Sequence, residues 1–314
     1  MATSANGIYT GNYAGEKAAG YIAPAVLSAN TLAQNVVTIH ENIAYRLNVR
    51  RMTTTGFLQE DACGFNDSGT VNLADVVLQP TELAVNLELC KKDFDNQWES
   101  LERRGSWLGQ EVPQDFQTFL VDRLNALTAK DIETKIWQGS ANTGGDFIGL
   151  FSRLASDSDV VTVSGTTITA ANVIAEIAKV VDDIPEAIYS ERGENGVKIL
   201  VGIKTAKLYQ RALGYGQLGA STNISSYNNQ LAVGEKPMDF EGIPIVVCNG
   251  MGDNKMVASV AGNLHFGTNV LTDFTEMEII DRAPIDGSRN FRFVQRFTCG
   301  TQITNGAEIV YYTA

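Results

Sequence analysis

The 314-residue chain is long enough for roughly two domains, or for one core with a large projection, and easily long enough to bury a sizeable core. Its residues are 44% hydrophobic and only 19% charged, below the roughly 25% of an average soluble domain, the depletion that accompanies extensive protein–protein contact. With 24 basic and 36 acidic residues the net charge is -12, which leaves no basic footprint for a nucleic-acid reader, and no apolar run approaches the ~18 residues of a membrane span.

Residues 1 to about 35 are rich in Ala, Gly, Asn, Thr and Ser, with Gly7, Gly11, Gly15 and Gly20 recurring. The segment 1–45 is therefore expected to be an N-terminal arm, ordered only where it docks. Its start, Met1-Ala2-Thr3-Ser4-Ala5-Asn6, lacks a basic stretch followed by an apolar one, so a soluble, unexported chain is expected. From Arg46 to Leu58 and from Val76 to Cys90 the residues predict strands. The turn-rich Cys63-Gly64-Phe65-Asn66-Asp67-Ser68-Gly69 between them predicts the tip of a hairpin, so that 46–92 forms one extended loop. In the return strand Leu83, Val85, Leu87 and Leu89 fall on one face and Glu82, Ala84, Asn86 and Glu88 on the other, the period of a half-buried ribbon. An isolated two-stranded ribbon is marginal in water, and a neighbouring copy is the expected support.

Asp93-Phe94-Asp95 then opens a short predicted helix lined by Phe94, Trp98 and Leu101, which Gly105 closes after Arg103 and Arg104, with acids first and bases last as the helix dipole prefers. The clearest helix runs from Pro113 to Gln138, with Pro113 suited to the first turn and Gly139 to the position just past the end. Phe116, Leu120, Leu124, Leu127, Ile132 and Ile136 trace one side of it, and it spans roughly 39 Å. Val160 to Ile168 predicts a short hairpin turning at Ser164-Gly165. Thr169 is the expected cap of a second helix, carried by Val173, Ile174, Ile177, Val180, Val181 and Ile184 and stopped by Pro185. Val197 to Ile203 predicts a buried strand, Lys204 to Leu213 a helix ended by Gly214, and Tyr215 to Lys236 a polar loop. Strands are predicted at Ile243 to Cys248, Met256 to Val260, Leu264 to Phe266, Met277 to Asp281, Phe291 to Phe297 and Glu308 to Tyr312. Helices and strands mix without regular βαβ alternation, which predicts the α+β class.

No motif carries chemistry. Gly214-Tyr215-Gly216-Gln217-Leu218-Gly219 matches G-x-G-x-x-G but follows a helix, whereas a dinucleotide site needs that string to join a strand to a helix start. No phosphate-binding loop of the G-x-x-x-x-G-K-[ST] type and no G-x-S-x-G elbow occurs. The acidic pairs Glu60-Asp61 and Asp182-Asp183 read as solvated charges near a hairpin tip and a helix end. His265, between Leu264 and Phe266, reads as a satisfied structural histidine. Cys63, Cys90, Cys248 and Cys299 show no CxxC spacing, and only His40 and His265 could join them as soft ligands, so free thiols are expected. The sequons at Asn66 and Asn223 read as chance. An autocatalytic amide bond from Lys91 or Lys92 to an asparagine lacks any sequence sign of the neighbouring groups it requires. Catalytic, cofactor-binding and metal-ligating residues are accordingly expected to be absent.

In order, the chain presents an arm, an extended hairpin, a long helix, a central α+β region and a strand-rich C-terminus. That order resembles the major capsid proteins of tailed bacteriophages, the Hong Kong ninety-seven-type shell fold. Leu78-Gln79-Pro80-Thr81-Glu82-Leu83-Ala84-Val85 looks like the return strand of the family's extended loop, and Val197 to Leu213 like the strand and helix of its axial domain. Phe240-Glu241-Gly242-Ile243-Pro244-Ile245-Val246-Val247 and Gly262-Asn263-Leu264-His265-Phe266-Gly267-Thr268-Asn269 look like the run back to its peripheral domain. The resemblance implies a peripheral domain over 93–168, with 113–138 as its spine helix, an axial domain over 169–262 and peripheral return strands over 263–314.

It further implies a non-enzymatic virion subunit, made in the host bacterial cytoplasm, that assembles as hexamers and pentamers into an icosahedral shell around double-stranded DNA. No sequence-specific DNA contact, cofactor or membrane is implied. The partners implied are a portal and possible decoration proteins, and, since there is no room for the helical N-terminal scaffold segment that many relatives carry, a separate scaffolding protein or none. A bacterial nanocompartment (encapsulin-type) shell protein is the alternative within the same fold, and an enzyme of unassigned α+β type the alternative outside it.

Overall fold

The computed structural model describes residues 30–56, 58, 60, 63, 69–90, 114–141, 144–190, 196–215, 238–269, 278–282, 285, 287, 288 and 290–314, without the side chains of 114–120, 214, 215 and 261. It is a mixed helix and sheet structure, as the α+β expectation requires. The expected arm up to residue 29, the helix from Asp93, Lys91 and Lys92, both sequons, most of the hairpin tip and the loop 216–237 lie outside the described residues. The chain divides into two compact units, one from 82–131 with 270–297 and the other from 29–81, 132–269 and 298–314.

The second unit is built on a six-stranded sheet of order β5-β13-β9-β6-β8-β7. Its strands are β5 (Val161–Ser164), β6 (Val197–Val201), β7 (Asp239–Phe240), β8 (Ile243–Val247), β9 (Lys255–Val260) and β13 (Val310–Thr313). Helices α3 (Val173–Asp182) and α5 (Ile203–Tyr215) bury Ile177, Val180, Ala206 and Tyr209 against it, together with Ile199, Met256 and Tyr312. Apolar positions three and four apart on α3 make that possible. Inside this core Glu176 accepts hydrogen bonds from Tyr312 Oη at 2.7 Å, Lys179 Nζ at 2.9 Å and Thr166 Oγ1 at 2.9 Å. Burial pushes its carboxyl up, and these three donors together more than reverse that, leaving it below the usual range.

Beside that sheet, β1 (Thr38–His40) lies parallel to β10 (Leu264–Gly267), and β10 pairs antiparallel with the second half of β12 (Asn290–Ile303). In the other unit the first half of β12 pairs with β11 (Glu278–Asp281), and β4 (Thr81–Cys90) pairs with β12 as well. Phe291 and Phe293 form that unit's core with Leu87 and Leu89 of β4, Ile279, and Val121 and Leu124 of helix α1 (Gln114–Gln138). On the outer side Glu88 accepts hydrogen bonds from Asn290 at 2.8 Å and Arg292 at 2.9 Å, which hold its carboxyl below the usual range.

Several expectations are corrected. Val76 to Cys90 is not one strand: β3 (Thr70–Leu78) ends before Gln79-Pro80 and β4 begins after it. The proline lacks the N–H a continuous ladder would need. The alternation of Leu83, Val85, Leu87 and Leu89 is real, with Leu87 and Leu89 packed in the core that holds Val121 and Leu124, but β4 pairs with β12 and not with the hairpin. Val160 to Ile168 is not a hairpin: it holds a single strand, β5, over Val161–Ser164, whose parallel partner is β13 and not its own sequence neighbour. α3 starts after Asn172, whose Oδ1 accepts hydrogen bonds from the backbone and hydroxyl of Thr169, so the expected cap sits one turn outside the helix. α5 runs through Gly214 to Tyr215. Leu127 is exposed. Helix α2 (Leu150–Ser156), the short helix α4 (Glu186–Tyr189), β1, β7 and the length of β12 have no counterpart in the sequence reading.

Candidate functional site: the root and exposed face of a ribbon

Strand β2 (Leu47–Thr55) and β3 form a separate two-stranded antiparallel ribbon, in register from Leu47↔Leu78 to Thr55↔Thr70. Residues directly opposite share a face, and alternate pairs divide the ribbon into two. One face carries Leu47/Leu78, Val49/Val76, Arg51/Ala74 and Thr53/Asn72, and the other Asn48/Val77, Arg50/Asp75, Met52/Leu73 and Thr54/Val71.

The root of the first face is fixed. Leu78 is fully buried, and it packs where Gly267 of β10 stands opposite Gly300 of β12. A Cβ on Gly267 would lie 2.9 Å from Leu78 Cδ2 and 2.8 Å from Ile43 Cδ1, and one on Gly300 would lie 2.9 Å from the Gln79 carbonyl oxygen. Two glycines in register therefore make the hollow that receives the ribbon's end. Gln302 Nε2 donates to the Val77 carbonyl at 2.8 Å, and Arg51 pairs with Asp159 at 3.3 Å. A cavity of about 390 Å³ at this root is lined by Arg51, Arg153, Asp75 and Asp157 among others, and its opposite charges balance.

The second face is open. Met52 is 65% exposed, Leu73 73%, Val71 53% and Val77 38%, all four on the same side of the ribbon. The Arg50–Asp75 ion pair at 3.7 Å interrupts the apolar stripe, and Asn48 and Thr54 stand opposite Val77 and Val71. Outer faces of two-stranded ribbons are ordinarily polar, and exposed side chains of this size clustered on one side mark contact surface. The alternation that located the hairpin in sequence thus sits on β4, while the exposed stripe is found through the register of β2 and β3.

Where the sequence singled out individual residues, the structure keeps them apart or satisfied. Glu60 is exposed, and Asp61 lies outside the described residues; Asp182 and Asp183 are exposed at the end of α3. The G-x-G-x-x-G string begins inside the last turn of α5, with 216–219 outside the described residues. Cys248 and Cys299 are buried and all four cysteines are free thiols; burial pushes Cys248 up to about 12 and raises Cys299 as well, so neither is a ready nucleophile. Among the described residues no group of His, Cys, Asp and Glu is arranged to hold a metal, and no helix is long and apolar enough to cross a membrane. His265 is buried against His40, Nδ1 to Nε2 at 3.0 Å, and its Nε2 meets Thr304 Oγ1.

A buried polar cluster on α1 was not anticipated. Glu133 accepts hydrogen bonds from Thr31 Oγ1 at 2.5 Å, Thr31 N at 3.2 Å and Gly250 N at 3.2 Å, and Trp137 Nε1 donates to Thr31 Oγ1 at 2.9 Å. Asn30 adds a bond to the Val247 carbonyl at 2.7 Å. These bonds dock residues 30 and 31 into the second unit. The only sequence sign is a glutamate between Ile132 and Ile136 on an otherwise apolar helix face.

No protein-family model and no curated protein matches the sequence. Solved structures do match in shape. The capsid of a native GTA particle is similar at 14% identity and TM-score 0.64, over 97% of this chain and 96% of that one. The capsid of the Myoviridae phage XM1 is similar at 10% identity and TM-score 0.61, over 95% and 96%. A structure from Mycobacterium phage Ogopogo is similar at 13% identity and TM-score 0.60, over 94% of each chain. Over nearly its whole length this chain has the tailed-phage capsid-protein fold.

Proposed function

We propose that the chain is a structural, non-catalytic subunit that self-assembles into the icosahedral shell enclosing the double-stranded DNA of a tailed phage. The observation that carries this is the open stripe of Met52, Val71, Leu73 and Val77 on a ribbon whose root is locked. A rigid base with an uncovered apolar face is the form of an element that lies on another copy, and the capsid-protein fold supports a lattice of such copies. Each contact is modest, and closure of the lattice makes them collective. In this reading 46–92 is the extended loop, 113–138 the spine helix, 169–262 the axial domain and 263–314 the peripheral return strands. Hexamers and pentamers form the shell, a portal and a separate scaffolding protein complete it, and the acidic chain touches packaged DNA without reading it.

Electron microscopy of the purified full-length chain tests this: closed icosahedral particles are expected, and a chain that stays monomeric at high concentration, with or without a scaffolding protein, overturns it. Particle contents separate the phage shell from a nanocompartment, since double-stranded DNA supports the first and a packaged enzyme the second.

A further inference from the structure

The chain has two histidines, His40 and His265, 225 residues apart, and the fold brings them into contact. Their rings are 5.0 Å apart between centroids, with His40 Nε2 3.0 Å from His265 Nδ1. At that distance one nitrogen donates and the other accepts, so a single N–H serves both rings. The second nitrogen of His265 is taken by Thr304 Oγ1. His265 is buried and His40 half-buried.

His40 is the last residue of β1, a three-residue strand held on β10 by the pairs Thr38↔His265, Ile39↔Phe266 and His40↔Gly267. Thr268 N donates to the His40 carbonyl at 3.0 Å, Ile43 N to the Thr268 carbonyl at 3.2 Å and Asn42 N to the Asn269 carbonyl at 2.7 Å. So short a parallel pairing is weak by itself, and the histidine contact adds a side-chain bond between the two strands.

We propose that His40 and His265 form a one-proton latch that keeps β1 docked on β10 at neutral pH and releases it in acid. With a proton on every nitrogen, two donors would face each other at contact distance and the rings would repel. Among the described residues, the groups around the pair supply no free anion to offset this. From β12 the register partner of His265 is Gln302, which is neutral, and from the following turn Thr304 is neutral. Glu308, on the next turn, has its carboxylate engaged by Asn263 Nδ2 at 2.7 Å. Arg51, Arg153, Asp75 and Asp157 line the cavity that Gln302 and Thr304 also border, two charges of each sign. Glu41 adjoins His40 in sequence and is exposed. Burial, and then the charge of His40, lowers His265 to about 4. A folded value below the ordinary 6.5 means that the docked form is fully favoured above the ordinary value and loses that advantage as pH falls towards about 4. The latch does not depend on the capsid reading, since it uses contacts within one unit.

Hydrogen exchange of the full chain, with protection factors corrected for the intrinsic pH dependence, tests it. Between about pH 7.5 and about pH 4.5, protection over residues 38–43 is expected to fall by roughly one to two orders of magnitude, while β9 stays protected. In His265→Gln, which keeps a polar group for Thr304 and cannot take a proton, that fall should vanish. His40→Gln, at the less buried partner, should reduce it too, and decides the matter alone if His265→Gln does not fold. Unchanged protection in the parent chain, an equal fall in the folded variants, or loss at β9 together with β1 overturns the latch.

Discussion

At the scale of single residues, two local constraints dominate what the structure requires. Gly300 is glycine because the backbone of Gln79 and Pro80 crosses within 2.9 Å of where a Cβ would stand; backbone cannot swing aside as a side chain can. Gly300→Ala should therefore destabilise the second unit by about 1–3 kcal/mol, measured by urea unfolding. Gly267 faces only side-chain ends of Ile43 and Leu78, and the same substitution there should cost less. Thr31 is the second case. Its hydroxyl both donates to Glu133 and accepts from Trp137, so Thr31→Val removes one partner from a buried carboxylate and one from an indole N–H. A loss of about 1–3 kcal/mol is expected, again by urea unfolding. A loss near zero would show that the cluster adapts without the hydroxyl.

At the scale of elements, the ribbon and the long helix respond in opposite ways to the same kind of substitution. Met52 and Leu73 are opposite each other and more than half exposed, so Met52→Asp combined with Leu73→Asp should change unfolding stability by no more than about 0.5 kcal/mol per site. Particle formation should nonetheless be abolished, as seen by electron microscopy. Deleting Thr53 to Asp75 should have the same outcome. Normal particles from either variant would remove the role given to the open face. Leu124 packs with Val121 against Phe291 and Phe293, and Leu124→Asp brings an unpaired charge to that core. The expected cost is more than about 2 kcal/mol, read by thermal or urea unfolding.

At the scale of the whole molecule, the proposed function is collective, and its signatures should be collective too. In the proposed shell, stability should depend on subunit concentration during assembly, because each ribbon contact would be weak until the lattice closes. Mixing increasing fractions of the Met52→Asp, Leu73→Asp subunit into the parent chain should lower particle yield more steeply than in proportion, measured by sedimentation. A linear decline would mean that each subunit is held independently of its neighbours.

Periodicity, breakers and composition were sufficient to determine the α+β class, the helix ending at Gln138, most C-terminal strands and the two-sided character of β4. Those features are set by residues near one another in the chain, so a sequence displays them directly. The order of elements along the chain also carried the likeness to capsid proteins. Which strand pairs with which was decided only by tertiary structure. β4 lies with β12 instead of extending the hairpin, β5 finds β13, and the stripe on β2 and β3 emerges only once the register is known. The docking of Thr31 on Glu133 and the meeting of His40 with His265 are of the same kind. Each joins residues more than a hundred positions apart, and such a pairing leaves no period in the sequence because its energy depends on the packing of the whole unit.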